Sequence, residues 1–331
     1  MSYITTAKKV IKDFTKTFDY RKLVKEEIHE YCNVEVTKDL KEGGIHAFKA
    51  WEYWFGYLQE NIWHTNLHEE IVTFANNIHN PKILSLGCGY GGHELNIARS
   101  LKKPFEMVAS DLNARLFDKA INEAEKNKFN IKFEAVDLNF IQIRENCFDI
   151  IFAHASLHHI LNLENLFYQA YKGLKNEGRF IVADIIGKTN VLFWKENVDF
   201  AREVVSEMPS EYKPASPNHD MIIPPYVEPL IQKGMEGIRQ EEIESQISQY
   251  FTPVKIFKYG SFIRMICTNT FIGERINPEI KEDRDYLESL FNLDLKMIEE
   301  NKLRPTEMFA VFRKKNPPDT KEREYPKGFH F

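Results

Sequence analysis

The sequence predicts an α/β protein built on a doubly wound, seven-stranded and mostly parallel sheet. Three observations carry this expectation. Strand-like and helix-like patterns alternate from residue 82 to residue 185, the first apolar run breaks into clustered glycines, and two more strand-like runs follow a long excursion.

Taken in order, the first strand is expected over 82–87, where Lys82-Ile83-Leu84-Ser85-Leu86 is apolar and ends at Gly87. A helix over about 92–102 follows the glycines, then a strand over 106–110, a helix over about 114–128 and a strand over 131–136. Strand 148–153, helix 163–175 and strand 179–185 continue the rhythm, and such alternation gives parallel strands joined by crossover helices. After Ile186-Gly187 the pattern stops. Residues 188–240 begin a helix near Phe193-Trp194 and then carry Pro209, Pro214, Pro217, Pro224, Pro225 and Pro229, an excursion long enough to imply a function. A helix over 241–250 leads to strand Val254–Tyr259, and Glu307–Arg313 supplies the last strand. Between those two strands lies an amphipathic helix, Tyr286–Ile298, with Leu287, Leu290, Phe291 and Leu295 at helical intervals. Before the sheet, Leu23–Tyr31 and Phe48–Trp63 read as helices separated by Gly43-Gly44. The expected organisation is therefore a helical extension or lid over 1–79, a core over 80–187 and 241–315, an inserted cap over 188–240 and a polar tail over 316–331.

Composition narrows the function classes. With 331 residues and 43% hydrophobic content the chain can bury a full-sized core, and no apolar run approaches the roughly 20 residues that span a bilayer. The N-terminus has no signal-peptide core, so a cytoplasmic protein that does not engage membranes is expected. A net charge of −5 gives no field for attracting phosphate backbones, which argues against a nucleic-acid partner. Cys32, Cys88, Cys147 and Cys267 lie far apart without a CxxC pair, so free thiols are expected rather than a disulfide framework or a zinc cluster.

The glycine turn is the strongest functional signal, because clustered glycines let backbone N–H groups approach a ligand at a helix N-terminus. Gly87, Gly89 and Gly92 fit the G-x-G-x-x-G spacing of a dinucleotide site, with Asp111 following at the end of the second strand, while Gly87, Gly89 and Gly91 fit G-x-G-x-G equally well. The rest of the chain decides between them. Leu84 to Gly91, Ala109-Ser110-Asp111-Leu112-Asn113, Val136-Asp137-Leu138, Phe148 to Ile160, and Leu174 to Val182 together resemble, in order, the class I S-adenosylmethionine-dependent methyltransferase superfamily of small-molecule type.

That resemblance implies S-adenosylmethionine as cofactor, with Ser85, Gly87, Cys88, Gly89, Gly91, Leu138 and Ala153 around it. Asp111 would accept from the ribose hydroxyls, Leu112 would pack on adenine and Asp137 would take its amino group. The family usually has an acidic residue where this chain has Ser85, so the anchor for the methionine amino group is not evident. His93 or Glu94 at the start of the next helix could contribute to that anchor, but the favoured reading of both is as solvated residues at a helix N-terminus.

For catalysis, His154 and His158 stand at the carboxyl end of the fourth strand, where such a sheet opens to its ligands, and imidazole has a pKa suited to a general base. His159 is expected to face the following helix. No second His or acidic cluster at ligand spacing accompanies them, so no metal is expected. Without an Asn-Pro-Pro-Tyr or Asp-Pro-Pro-Tyr loop, a hydroxyl oxygen of a small molecule, in secondary-metabolite or saccharide modification, is the expected acceptor. Tyr53, Tyr57, Trp194 and Tyr226, in the two extra segments, are the expected substrate-binding aromatics, whereas Phe48, Trp51, Phe55 and Leu58 make a buried stripe. His219 and Asp220 are further polar groups of the excursion. The rivals are an NAD(P)-dependent oxidoreductase, disfavoured by the missing Tyr-x-x-x-Lys pair, and a silent binding module. For the 286–298 helix, core packing, a lid and a homodimer surface are all compatible with the pattern.

Overall fold

The computed structural model describes residues 20–30, 49–213 and 234–316. Within it a seven-stranded sheet runs in the order β3-β2-β1-β4-β5-β7-β6. The strands are β1 (Lys82–Leu86), β2 (Glu106–Asp111), β3 (Ile131–Ala135), β4 (Phe148–His154), β5 (Leu174–Ile185), β6 (Phe251–Tyr259) and β7 (Glu307–Lys314). β1 to β5 pair in parallel, and β7 slots antiparallel between β5 and β6. All seven expected strands are present, and the mostly parallel α/β sheet is as the sequence predicts.

The central strands read as continuous apolar runs because both their faces are covered. Ile83, Met107, Ile150, Phe152 and Ile181 point to one core, shared with helices α2 (Lys49–Tyr57), α3 (Leu67–Asn76), α7 (Lys195–Glu207) and α11 (Lys281–Glu299). Their neighbours Leu84, Leu86, Ile151, Ala153, Phe180 and Val182 point to the other, against α6 (Leu163–Gly173) and α8 (Ile243–Ile247). Helices α4 (Gly92–Ser100) and α5 (Asp118–Asn127) follow β1 and β2, α1 (Tyr20–Glu30) precedes the sheet, and the short α9 (Phe262–Cys267) and α10 (Thr270–Gly273) follow β6.

Several boundaries shift for local reasons. The helix expected over 114–128 opens as a 3₁₀ turn, Ala114–Leu116, because the Asn113 side chain accepts from Arg115 N at 3.2 Å and caps it. β5 starts at Leu174, which pairs with Phe148, and the register then skips to Ile150 and Arg179. α2 runs on into a π turn, Leu58–Trp63. Cys88, Cys147 and Cys267 are free thiols, whereas Cys32 lies outside the described residues. Among the described residues no helix is long and apolar enough to cross a membrane.

The N-terminal aromatic segment docks on the β6–β7 end of the sheet. Trp54 is 1% exposed, its ring lies 5.8 Å from that of Tyr259, and a Cβ on Gly260 would come within 3.0 Å of it. Trp51 and Trp54 meet edge to face at 5.2 Å, and Trp63 packs on Tyr259 at 4.8 Å. Trp51, Phe55 and Leu58 thus form the packed stripe the sequence anticipates. Replacing Trp54 by Ala should cost about 3–5 kcal/mol through lost burial and a cavity; a guanidinium melt showing less than 1 kcal/mol would mean that α2 docks without it.

Candidate functional site

In the strand order, the chain leaves β1 for β2 and β3 on one side and for β4 on the other, so a ligand crevice is expected beyond the carboxyl ends of β1 and β4. A cavity lies there. It is lined by Gly87 and Gly89 after β1, Asp111 and Leu112 at the end of β2, Asp137, Leu138 and Asn139 after β3, and Ala155, Ser156 and His159 after β4. Glu27 and Ile28 of α1 and Met235 of the returning excursion cover it.

The glycine turn has a steric cause. A Cβ on Gly87 would sit 2.3 Å from the Ser156 Cβ, and Ser156 Oγ donates to Leu86 O at 2.6 Å, so the Ser156 side chain lies directly against the bare backbone of the β1 turn. At Gly89 a Cβ would meet nothing within 4 Å, leaving open space beside a backbone that donates from its N–H to Asp111 Oδ2 at 2.8 Å. Asp111 Oδ1 accepts from Asn113 N at 2.9 Å. Burial pushes its carboxyl up despite these two donors, as expected for a charge awaiting more hydrogen bonds. Asp137 accepts from the Tyr20 hydroxyl at 2.6 Å and from Asn139 N at 3.0 Å, so α1 reaches across onto the site.

The residue that sequence reasoning set aside is Glu94. It is 2% exposed, not solvated; Ser85 Oγ donates to its Oε1 at 2.6 Å, and Oε2 is buried with no protein partner. Gly91, in the left-handed conformation, opens α4 so that its first turn aims Glu94 back at the end of β1. Burial pushes the carboxyl up to about 7. Neither Ser85 nor Glu94 lines the cavity itself, but an orphaned buried acid beside the glycine turn has the chemistry to receive a cationic group. The useful signal was the three-residue step from Gly91 to Glu94, which returns a side chain to the strand end.

Several expected site residues stand elsewhere. Cys88 is half-buried with a thiol pushed up by burial, Gly91 is the helix cap and Ala153 is fully buried in the core, none of them lining the cavity. His154 packs at a tilt against exposed His93, ring centroids 4.0 Å apart, and does not line it either. His158 is buried, with Nδ1 2.6 Å from Asp184 Oδ1 and Nε2 3.4 Å from Glu236 Oε1. Burial alone would lower its pKa, but the two carboxylates outweigh this and raise it to about 10. An imidazole so held is already protonated at neutral pH and is poorly suited to be a general base. His159, expected to face the next helix, instead lines the cavity with Nδ1 2.9 Å from Glu27 Oε1.

Nor do the described aromatics reach the cavity. Tyr53 hydrogen-bonds Glu288, Tyr57 donates to Asn292 Oδ1 at 3.0 Å, and both pack on Phe291 of α11. They line a separate surface groove with Pro278 and Glu279, because the helical face chosen for the pocket is the one α11 covers. Trp194 lies under the Arg304 guanidinium at 4.3 Å, ahead of α7. Phe48, Tyr226, His219 and Asp220 lie outside the described residues.

Asp184 went unmarked in the sequence. It accepts from Ser156 N at 2.8 Å, Leu157 N at 2.7 Å and the His158 ring, fixing the whole loop after β4. A lone acid interrupting the apolar run from Phe180 to Ile186 was its signal.

Comparison with known proteins adds the family. A family model described as "Methyltransferase domain" matches residues 79–253, more than half of the chain. The chain belongs to this methyltransferase family. It is similar to phosphoethanolamine N-methyltransferase 3 of Arabidopsis thaliana, 30% identical over 103 residues, covering 31% of this chain and 21% of that protein. It is also similar to sterol 4-C-methyltransferase strm-1 of Caenorhabditis elegans, 30% identical over 174 residues, covering 49% and 47%. The chain thus spans about a fifth of the length of the first relative and about half of the second. Among solved structures, a putative sarcosine dimethylglycine methyltransferase from Galdieria sulphuraria overlays with TM-score 0.45 at 14% identity, covering 77% of this chain and 85% of that one.

Glu94 makes a stability prediction for this methyltransferase. Its carboxyl sits above the ordinary 4.5 when folded, so the folded state holds a proton that the unfolded chain has lost, and stability falls as pH rises from about 4.5 through 7. Glu94→Gln removes that loss. At pH 8 the variant should exceed the parent by on the order of 2–3 kcal/mol, the gap closing at pH 5; equal melts at both pH values would show that Glu94 is not desolvated.

Proposed function

We propose that this chain transfers a methyl group from S-adenosylmethionine to a small-molecule acceptor. The observation that carries the reading is Glu94, a buried carboxylate with an unpartnered oxygen beside the glycine turn. It holds the methionine amino group of the cofactor through Oε2, with Ser85 keeping the carboxylate in place. Asp111 accepts from the ribose hydroxyls, and Asp137 with Leu112 and Leu138 receives the adenine. When bound, the cofactor supplies a methyl group on a positively charged sulfonium, and in-line displacement removes that charge, so the protein chiefly aligns donor and acceptor.

The charge of the cavity supports this against the oxidoreductase alternative. Glu27, Asp111 and Asp137 line it and no lysine or arginine does among the described residues. A dinucleotide pyrophosphate would meet three carboxylates there, whereas a cofactor carrying sulfonium and ammonium groups meets complementary charge. The described parts of the extension and the insertion that cover the cavity, Tyr20, Glu27, Ile28 and Met235, are the residues that select the acceptor. The acceptor atom is a hydroxyl oxygen, on the strength of the absent planar-amine loop motif. Its proton leaves through Glu27, a carboxylate that faces the cavity, and not through His158.

Calorimetry with S-adenosylhomocysteine tests the reading, with NAD and NADP as controls. Binding is expected for the first alone, weakened at least about tenfold by Glu94→Gln or Asp111→Asn through loss of a charged hydrogen-bond partner. The parent's affinity should climb between pH 6 and pH 8, because the ligand's ammonium favours ionised Glu94, whose pKa of about 7 lies in that window. A pH-independent affinity, or binding of a nicotinamide cofactor in its place, would overturn the proposal.

A further inference from the structure

Two imidazoles and a carboxylate converge beside the cavity in a way that methyl transfer alone does not require. His158, His159 and Glu236 bring one ligand atom each within 4.8 Å of one another. His158 Nε2 lies 3.4 Å from Glu236 Oε1, and His159 Nε2 lies 3.4 Å from Glu236 Oε2. Behind each ring stands a carboxylate: Asp184 at 2.6 Å from the His158 Nδ1 and Glu27 at 2.9 Å from the His159 Nδ1.

We propose that His158, His159 and Glu236 bind a divalent transition metal ion of the zinc or ferrous class. Asp184 hydrogen-bonds the His158 Nδ1 and so orients that ring for a metal ion to take the place of the Nε2 proton, Glu27 lies 2.9 Å behind the His159 Nδ1, and both Nε2 atoms face the same carboxylate. That carboxylate–imidazole–metal arrangement is how metal-binding histidines are ordinarily oriented. The 3.4 Å separations are long for charge-assisted hydrogen bonds, which lie nearer 2.7–2.9 Å. They match the edge of a tetrahedron, about 3.4 Å, obtained from metal–nitrogen and metal–oxygen bonds near 2.0–2.2 Å.

Charge leads to the same point. Glu27, Asp184 and Glu236 surround two imidazoles, giving three negative charges when both rings are neutral. Two protons would relieve this only by making cations of rings whose centroids are 4.2 Å apart. One dication between them neutralises as much charge without that repulsion. Two nitrogens and one carboxylate suit zinc or iron better than magnesium or calcium, which prefer oxygen alone. The Glu236 side chain is 44% exposed, which leaves a route of entry, while the His158 side chain at 5% gives a rigid base.

The three ligands are remote in sequence from the groups that aim them. Glu236 is delivered by the segment 234–239, where Ile238 N donates to His158 O at 3.1 Å and Arg239 clamps Glu164 at 2.8 Å. Three protein ligands leave at least one position open, and His159 also lines the cavity. An oxygen donor of the acceptor is the ligand that our functional proposal would bring there, and this last step alone rests on that proposal.

The test uses the full chain without cofactor or acceptor, so its outcome is separate from that of the methyl-transfer reading. Protein prepared without chelator is assayed for bound metal, then stripped and titrated with Co2+ as a spectroscopic probe. Near one equivalent per chain is expected, with d–d bands of a four- or five-coordinate site. Glu236→Ala and His159→Ala should weaken Co2+ binding by more than about 100-fold, and Glu27→Gln, one step removed, by about tenfold. Melting curves confirm that each variant is folded. Absence of metal together with no Co2+ spectrum, or folded variants that bind Co2+ like the parent, would overturn the site.

Discussion

A buried carboxylate at the end of one strand governs the geometry of the whole site. Asp184 projects from β5 and takes two backbone amides and one imidazole from the loop after β4. Burial by itself would raise its pKa, but His158 and these donors hold it below the ordinary value, so it stays ionised. The loop it secures includes Ala155 in the left-handed region at φ 46°, a conformation that a residue with a side chain keeps only when its surroundings insist. Ser156 then reaches Leu86 O and leaves no room for a side chain at Gly87. The glycine turn, the histidine loop and the floor of the cavity are thus one interlocked unit.

A second constraint sets stability against function. Glu94 occupies the interior at a cost, with one oxygen satisfied by Ser85 and the other by nothing in the protein. Buried polar atoms are normally paired, and the unpaired oxygen beside the glycine turn is what our functional proposal assigns to a cationic partner. The arrangement joins two residues at the end of β1, a serine on the strand and a glutamate from the first turn of α4. Serine leaves the strand end slim, and glutamate has the length to reach it from the helix.

What could be read in the sequence was what depends on local pattern. The strands show as apolar runs because helices cover both faces, and the glycine turn shows because its sterics forbid alternatives. Asp111 and Asp137 were legible as strand-end acids in motif positions, and the structure puts both at the cavity. What stayed hidden depends on which helical face meets which neighbour. Tyr53 and Tyr57 have the periodicity of a free face, yet α11, more than 220 residues further along, covers them through Glu288 and Asn292. Glu94 looked solvated because its burial comes from the curl of the chain at Gly91, and Glu27 and Glu236 carry no signal until folding brings both to the same histidine.

That convergence makes the cover part of the site. Glu27 faces His159 through Oε1 and accepts from Met235 N through Oε2 at 2.7 Å, so α1 and the returning end of the excursion are tied to each other and to the loop. Tyr20 adds a hydroxyl on Asp137, and Asn139 accepts the amides of Leu161 and Asn162 at 2.9 and 2.8 Å while its own amide meets Tyr20. A ligand that displaces Tyr20 from Asp137 loosens α1, and α1 carries the carboxylate that orients His159. The Asp137 end of the cavity and the histidine end therefore share one helix, α1, as a common wall. Among the described residues the apolar face of that helix rests on a small cluster of its own, Leu23 with Leu161, Met235 and Ile238, so the wall is anchored to the loop after β4 and to the returning excursion rather than to the main core.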